Sequence, residues 1–207
     1  MNICVRLLLG VAVWSVSSAG CSLTKPQPAV HHYALALQLP APTSSPATMS
    51  LVIHPLTARD PYDQERMVYR TSPYAFDLYT SHRWASSPAE QVTYWTRRYL
   101  QTTGLFSQVF PTTDSNADIV LGGVIRQCEE LDHETTWEAA LSIDFWLTRA
   151  DERSPFWFRS YSVTKPASRR NPEAIAEAMS QGLADILQRL TTDMSEIATI
   201  RARTPAR

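Results

Sequence analysis

Short stretches of alternating hydrophobic and polar residues dominate the first part of the chain and predict β-strands. Residues 33–39 alternate in this way, and their single apolar face predicts a half-buried strand. A second strand is predicted over residues 50–54. Residues 67–71 and 75–80 predict the two arms of a hairpin. The apolar positions of the first strand are Tyr33, Leu35, Leu37 and Leu39.

The middle of the chain carries a helix with sequence signals at both ends. Ser87 is placed to cap the helix, Pro88 to begin it, and Glu90 to complete a capping box. Gly104 is placed to end it, because glycine adopts the left-handed conformation that closes many helices. A short strand is predicted near residues 108–110. The apolar face of the helix consists of Val92, Trp95, Tyr99 and Leu100.

Two long strands are predicted next. Residues 117–126 are apolar nearly throughout, which indicates a strand that is covered on both faces. Gly122 and Gly123 inside this run indicate a bulge or a close packing contact. A turn is predicted near residues 129–134. The returning strand over residues 137–148 has one apolar face throughout.

A strand over residues 156–164 and a long amphipathic helix complete the pattern. Asn171 is placed to cap the helix and Pro172 to begin it. Together the elements predict one α+β domain, a mostly antiparallel sheet covered on one face by a middle helix and a long C-terminal helix. The apolar stripe of the last helix is Ile175, Met179, Leu183, Ile186, Leu190, Met194 and Ile197.

The N-terminus has the composition of a secretory signal. One basic residue precedes a short apolar run and then small residues, which predicts a signal peptide over residues 1–20. Ser18 to Cys21 resembles the bacterial lipobox, although Ser18 stands where leucine is usual. That resemblance implies a diacylglycerol on the Cys21 thiol and acyl chains such as palmitate. Residues 21–30 then form a lipidated tether, and Ser22 favours the outer membrane. The alternative is a secreted protein in which Cys21 is incidental.

Length and composition bound the rest of the chain. Residues 31–203 suit one domain of ordinary size, and residues 204–207 are predicted to fray. The net charge is −1 at pH 7, whereas nucleic-acid-binding proteins usually carry an excess of basic residues. Serine-nucleophile, phosphate-loop and zinc-ligand motifs are missing from the sequence. We therefore predict no enzyme activity, no cofactor, no metal site and no nucleic-acid partner.

Three polar features leave alternatives open. The acidic residues 129–134 are either a cation site or a solvated hairpin tip. His31 and His32 are either a metal ligand or pH sensor, or the polar start of a strand. His82 with Asp77 and Asp63 is either an acid–base set or a group of surface residues.

An aromatic and arginine-rich segment over residues 60–87 is the main functional candidate. Tyrosine, tryptophan and arginine are enriched in binding hot spots, so the segment is a candidate partner-binding surface. The alternative is that its aromatic residues seal one end of the sheet. The candidate partner-binding residues are Tyr62, Tyr74, Tyr79, His82, Arg83 and Trp84.

The order of several motifs resembles the ABC-type transport auxiliary lipoprotein family, the PqiC-like group. The motifs are Cys21 followed by residues 32–35, the segment 69–70, and residues 82–88, which read HRWASSP. The resemblance implies a lipoprotein without catalytic residues, with Cys21 as the lipidation site and Trp84 at the family's tryptophan position.

Membership of this family would imply an envelope lipid transport role. The lipoprotein would sit on the periplasmic leaflet of the outer membrane and dock an MCE-domain protein, while a permease and an ATPase form the other subunits. A homo-oligomer is plausible by analogy with ring-like MCE partners. The alternatives are a self-assembling structural envelope lipoprotein without transport partners, and a lipoprotein hydrolase.

Overall fold

The computed structural model describes residues 28–42, 48–111 and 117–203. The predicted signal peptide, Cys21 and the predicted frayed tail lie outside the described residues. The helices are Pro88–Thr103 (α1) and Pro172–Arg203 (α2). The strands are His31–Tyr33 (β1), Ser50–Ile53 (β2), Thr57–Ala58 (β3), Arg66–Ser72 (β4), Ala75–Trp84 (β5), Gln108–Pro111 (β6), Ile119–Asp132 (β7), Trp137–Arg149 (β8) and Trp157–Pro166 (β9).

The long strand β7 organises the sheet. One of its edges pairs with β8 from Ile119 opposite Arg149 to Asp132 opposite Trp137. The other edge is divided among three short strands, with β2 at its start, β3 at its middle and β4 at its end. The hairpin of β4 and β5 then extends the sheet to β1, and β9 extends it beyond β8.

The sheet is mixed, and the α+β class is confirmed. Its long pairings are antiparallel, namely β7 with β8, β8 with β9, and β4 with β5. The short strands β1, β2, β3, β4 and β6 add parallel pairings. Both helices contribute to a single core, in which α2 packs on β8 and β9.

The sequence signals of α1 are realised in the structure. Ser87 Oγ accepts a hydrogen bond from the Glu90 amide, and the Glu90 carboxylate accepts one from the Ser87 amide. Gly104 has φ of 69°, a left-handed conformation that residues with a β-carbon rarely adopt. The predicted start and end of this helix are therefore confirmed.

The predicted strand over residues 33–39 is largely wrong, because the sheet pairing ends at Tyr33. Residues 34–38, which we call the strap, instead run between the two helices. The Leu35 amide donates to Gln91 Oε1 of α1 at 2.7 Å, and the Leu35 carbonyl accepts from Trp95 Nε1 at 2.9 Å. The Ala36 amide donates to Ser180 Oγ of α2 at 3.1 Å. Side chains of the helices thus satisfy backbone groups that a neighbouring strand would otherwise pair.

The turn predicted near residues 129–134 begins later than expected. Strand β7 continues to Asp132, and the turn is tighter and later, with the His133 amide donating to the Thr136 carbonyl at 2.9 Å. Glu129 and Glu130 are only 2% and 1% exposed. Hydrogen bonds from other side chains stabilise these two carboxylates in the interior of the fold.

Gly122 allows a tryptophan to lie against the backbone of β7. It is the cross-strand partner of Trp146, and a β-carbon built at Gly122 would lie 2.4 Å from Trp146 Nε1. Such a distance is far inside van der Waals contact, so the indole ring occupies the space that a side chain would need. The close-contact interpretation of the glycine pair is confirmed.

Substituting Gly122→Ala should lower the free energy of unfolding by about 1–3 kcal/mol, since the added methyl group must displace the indole ring. Urea denaturation measures the change. The same substitution in a Trp146→Ala background should cost much less, because the clashing ring is gone. An equal loss in both backgrounds would contradict this account.

Candidate functional site

The six candidate partner-binding residues do not form one surface. Tyr62 and Trp84 are buried in the core, so neither is available to a partner. Tyr79 is partly buried and hydrogen bonded within the fold. Tyr74, at the turn between β4 and β5, is 97% exposed. The remaining two, His82 and Arg83, are partly exposed at the end of β5.

Glu129 is the centre of a buried polar network. Arg70 Nε and Nη2 donate to its two carboxylate oxygens at 2.8 and 3.1 Å, which is the bidentate geometry of a strong ion pair. Tyr62 donates to Oε2 and Gln127 to Oε1, both at 2.8 Å. Burial and the bond to this carboxylate raise the pKa of Tyr62 to about 12. The network joins the loop before β4 to strands β4 and β7.

The neighbouring carboxylate, Glu130, is bound differently. Tyr79 donates to both of its oxygens, at 3.1 and 3.0 Å, and the Tyr79 ring lies 4.8 Å from that of Tyr69. Burial is the main cause that raises the pKa of Glu130 from 4.5 to about 7, and the charge of Asp132 adds to it. Successive side chains of a strand point to opposite faces, so the two carboxylates stabilise both faces of β7.

An aromatic cluster links β5 to β1. The Tyr33 hydroxyl and His82 Nδ1 are 2.9 Å apart, His31 stacks on His82 with ring centroids 5.4 Å apart, and Tyr79 meets the same imidazole edge-on at 5.2 Å. Burial and the nearby His31 lower the pKa of His82. These ring contacts give His82 a packing role where the chain enters the sheet.

The proposed acid–base set of His82, Asp77 and Asp63 is not supported by the contacts. His82 is bonded to Tyr33, and Asp77 Oδ1 accepts from the Leu78 amide at 2.7 Å. Within the described ranges no group of three or more histidine, cysteine, aspartate or glutamate residues is arranged to hold a metal ion.

Arg66 and Arg83 are direct cross-strand partners on β4 and β5. Like charges directly opposite one another destabilise a sheet pair. Arg66 Nε donates to Gln64 Oε1 at 3.0 Å, whereas the buried Nε of Arg83 has no hydrogen-bond partner among the described residues. Neither guanidinium forms an ion pair with a described carboxylate. We call this pair the arginine patch.

A groove of about 690 Å³ lies between the strap and α2. Its walls combine small and polar side chains, with Glu173 and Glu177 on the helix. The one serine in the groove, Ser180, donates to the Ala176 carbonyl at 2.7 Å and accepts from the Ala36 amide. That hydroxyl holds the strap in place and is not aligned with a general base.

No local sequence pattern indicates the two carboxylate networks. Glutamates in a strand are ordinarily solvent-exposed, and their burial depends on partners far away in the chain, such as Arg70 for Glu129 and Tyr79 for Glu130. The density of tyrosine and arginine over residues 60–87 was the only signal that pointed to such partners. No described helix combines the length and apolar character that crossing a membrane would require.

The model of the family "ABC-type transport auxiliary lipoprotein component" matches residues 33–191. Among solved structures, protein XCC0632 from Xanthomonas campestris, of family DUF330, superposes with a TM-score of 0.73 at 19% identity, covering 84% of this chain and all of that one. An uncharacterized protein superposes with a TM-score of 0.66 at 14% identity, covering 81% and 99%. These likenesses show the fold alone. No curated protein sequence matches this chain.

Replacing Arg70 with alanine should destabilise the fold by about 3 kcal/mol, because it leaves the buried Glu129 charge with weaker compensation. Chemical denaturation measures the loss. Adding Glu129→Gln to Arg70→Ala should recover part of it. Glu152→Ala, which removes the partner of the exposed Arg149, is the control and should change stability by less than about 1 kcal/mol.

Glu130 should make stability depend on pH. Its pKa is higher in the folded chain, so the folded state holds more protons between about pH 4.5 and 7, and stability falls as pH rises through that window. The Glu130→Gln variant should lose this contribution. Thermal unfolding from pH 4 to 8 tests the difference between the two proteins, and parallel curves would refute the assignment.

Proposed function

Because this chain belongs to the family of ABC-type transport auxiliary lipoprotein components, we propose that it docks an MCE-type ABC lipid transport system at the outer membrane. The observation that carries the proposal is the family match over residues 33–191, which spans the sheet, α1 and most of α2. A lipoprotein of this family is a membrane-anchored envelope protein with a transport-associated, non-catalytic role.

The proposed anchor is a lipid on Cys21, exposed as the first residue when the signal over residues 1–20 is removed. Each buried methylene group contributes about 0.8 kcal/mol, so two or more acyl chains hold a protein stably at a bilayer. Cys128 does not compete for modification, because it is buried and its thiol pKa is raised to about 12. Ser22, directly after the anchor, supports the periplasmic leaflet of the outer membrane.

We propose that this chain contributes to transport by binding another protein of the system. The energy for lipid movement would come from the ATPase of another subunit, and this chain would hold the MCE-domain protein that crosses the periplasm. The polar groups of the described domain fit such a role, since Glu129, Glu130 and Ser180 are occupied by bonds within the fold. Their chemistry stabilises a rigid docking module.

Of the candidate residues, Arg83 is the best placed to meet a protein partner. It carries a buried guanidinium nitrogen without a hydrogen-bond partner in the described structure, and its cross-strand neighbour Arg66 adds a second cation. A carboxylate from the MCE-domain protein would neutralise this repulsion by binding the exposed parts of the two guanidinium groups. We therefore assign the docking contact to the arginine patch.

The test measures binding of the native lipidated chain to the periplasmic domain of its MCE protein. Arg83→Glu should weaken binding at least about tenfold, since the introduced charge repels an acidic partner. The matched control is Arg153→Glu, an identical charge change at an exposed position between β8 and β9. Binding lost equally in both variants would contradict the assigned contact.

Complete absence of an MCE complex would refute the docking proposal itself. A chain that then assembles only with copies of itself would favour the structural envelope lipoprotein instead. Mass spectrometry of the native protein and of Cys21→Ala tests the anchor, because the native chain should carry acyl groups that the variant lacks.

A further inference from the structure

The turn between β4 and β5 carries large aromatic side chains that the described structure leaves in solvent. Tyr74 is 97% exposed and Phe76 is 49% exposed. The guanidinium of Arg70 lies 5.6 Å from the centre of the Phe76 ring, so a cation accompanies the aromatic groups. We call Tyr74 and Phe76 the aromatic tip.

The register of β1 shows from which end the chain enters the sheet. β1 pairs in parallel with β5, with His31 opposite His82 and Tyr33 opposite Trp84. The residues before His31 therefore lie on the side of the sheet where β5 begins, at Ala75. The chain enters the sheet from the end of the molecule at which the aromatic tip lies.

The lengths of the two segments agree with this placement. From His82 back to Ala75, β5 covers about 23 Å at roughly 3.3 Å per residue. Residues 21–30 reach at most about 33 Å when fully extended. An anchor at Cys21 would therefore tie the domain to the bilayer by a segment that can reach past the tip by at most about 10 Å.

We propose that the aromatic tip rests in the headgroup layer of the bilayer that holds Cys21, as a second membrane contact; this rests on the proposed lipidation of Cys21. Tyrosine suits that layer because its ring is apolar and its hydroxyl group hydrogen bonds to headgroups and water. Phe76 adds apolar area, and Arg70 lies beside it on the strand.

This contact orients the domain. Arg66 begins β4 and Arg83 is one residue from the end of β5, so the arginine patch lies at the end of the hairpin opposite the tip. With the tip on the membrane, the patch faces away from the bilayer. The aromatic tip lies near the end of β7, because β4 runs parallel to β7 and pairs with its last residues. The loop between β8 and β9, which contains Ser154, lies at the opposite end of the sheet, since β8 ends at Arg149 opposite the first residue of β7.

The experiment places a fluorescent label beside the tip without removing its aromatic rings. Ala75→Cys introduces an exposed thiol between Tyr74 and Phe76, and Ser154→Cys is a matched exposed control at the opposite end. Cys128 should not react, because it is buried and its thiol is protonated at neutral pH. The lipidated proteins are reconstituted in vesicles of phosphatidylethanolamine and phosphatidylglycerol that contain headgroup spin-labelled lipid.

The label at residue 75 should be quenched by the spin-labelled headgroups about twofold more than the label at residue 154. Adding Tyr74→Ser and Phe76→Ser to the Ala75→Cys protein should reduce quenching to the level of the control site. Circular dichroism of the triple variant should match that of the parent, because both substituted side chains are exposed.

Two outcomes separate this inference from the anchor on which it rests. A protein that floats with the vesicles but shows equal quenching at residues 75 and 154 would overturn the tip contact and leave the anchor intact. A protein that does not float would overturn both. A label at residue 75 that responds only when the MCE-domain protein is added would assign the tip to a protein partner and refute the membrane contact.

Discussion

The pairing of β7 along both of its edges is the constraint on which the rest of the structure depends. One edge is bonded to β8 throughout, and the other is shared by β2, β3 and β4. Each short strand gains a long, buried partner that it could not find alone, since an isolated pair of short strands is barely stable in water. The core beneath the helices, the position of the β4–β5 hairpin and the entry of the chain through β1 all follow from this one strand.

Two buried carboxylates on β7 reinforce the same strand, and their energetics differ. Arg70 and two further donors replace the water that the Glu129 carboxylate has lost. Glu130 has a tyrosine as its bonded partner, and burial therefore raises its pKa towards neutrality. Both pairings connect β7 to the segment that contains β4 and β5. The aromatic and arginine-rich segment thus holds the hairpin in register.

The sequence predicted the elements whose signals are local. The capping box at Ser87 and Glu90, the stop at Gly104 and the stripe of the last helix all depend on residues close together in the chain, and the structure confirms them. The sequence-based prediction was wrong where residues far away in the chain determine the local conformation. The apolar alternation of residues 33–39 predicted a strand, but Gln91 and Ser180 on the helices bind the strap instead. Likewise, nothing near Glu129 in sequence indicates that Arg70 will neutralise it, so the candidate site was predicted as a segment and not as its separate parts.

The aromatic tip and the arginine patch lie at opposite ends of the β4–β5 hairpin, so a membrane contact at the tip would orient the domain relative to the bilayer. A lipid on Cys21 would fix one point of the chain to a bilayer, but one flexible tether leaves the domain free to rotate. The aromatic tip adds a second contact beside the first, because the parallel register of β1 and β5 brings the chain in from that end. Two such contacts on one side would leave the arginine patch on the other, where an acidic group of a partner would offset the repulsion between Arg66 and Arg83. The rigid sheet would then hold the partner-binding patch at a fixed distance and orientation from the membrane, without any covalent bond being made or broken.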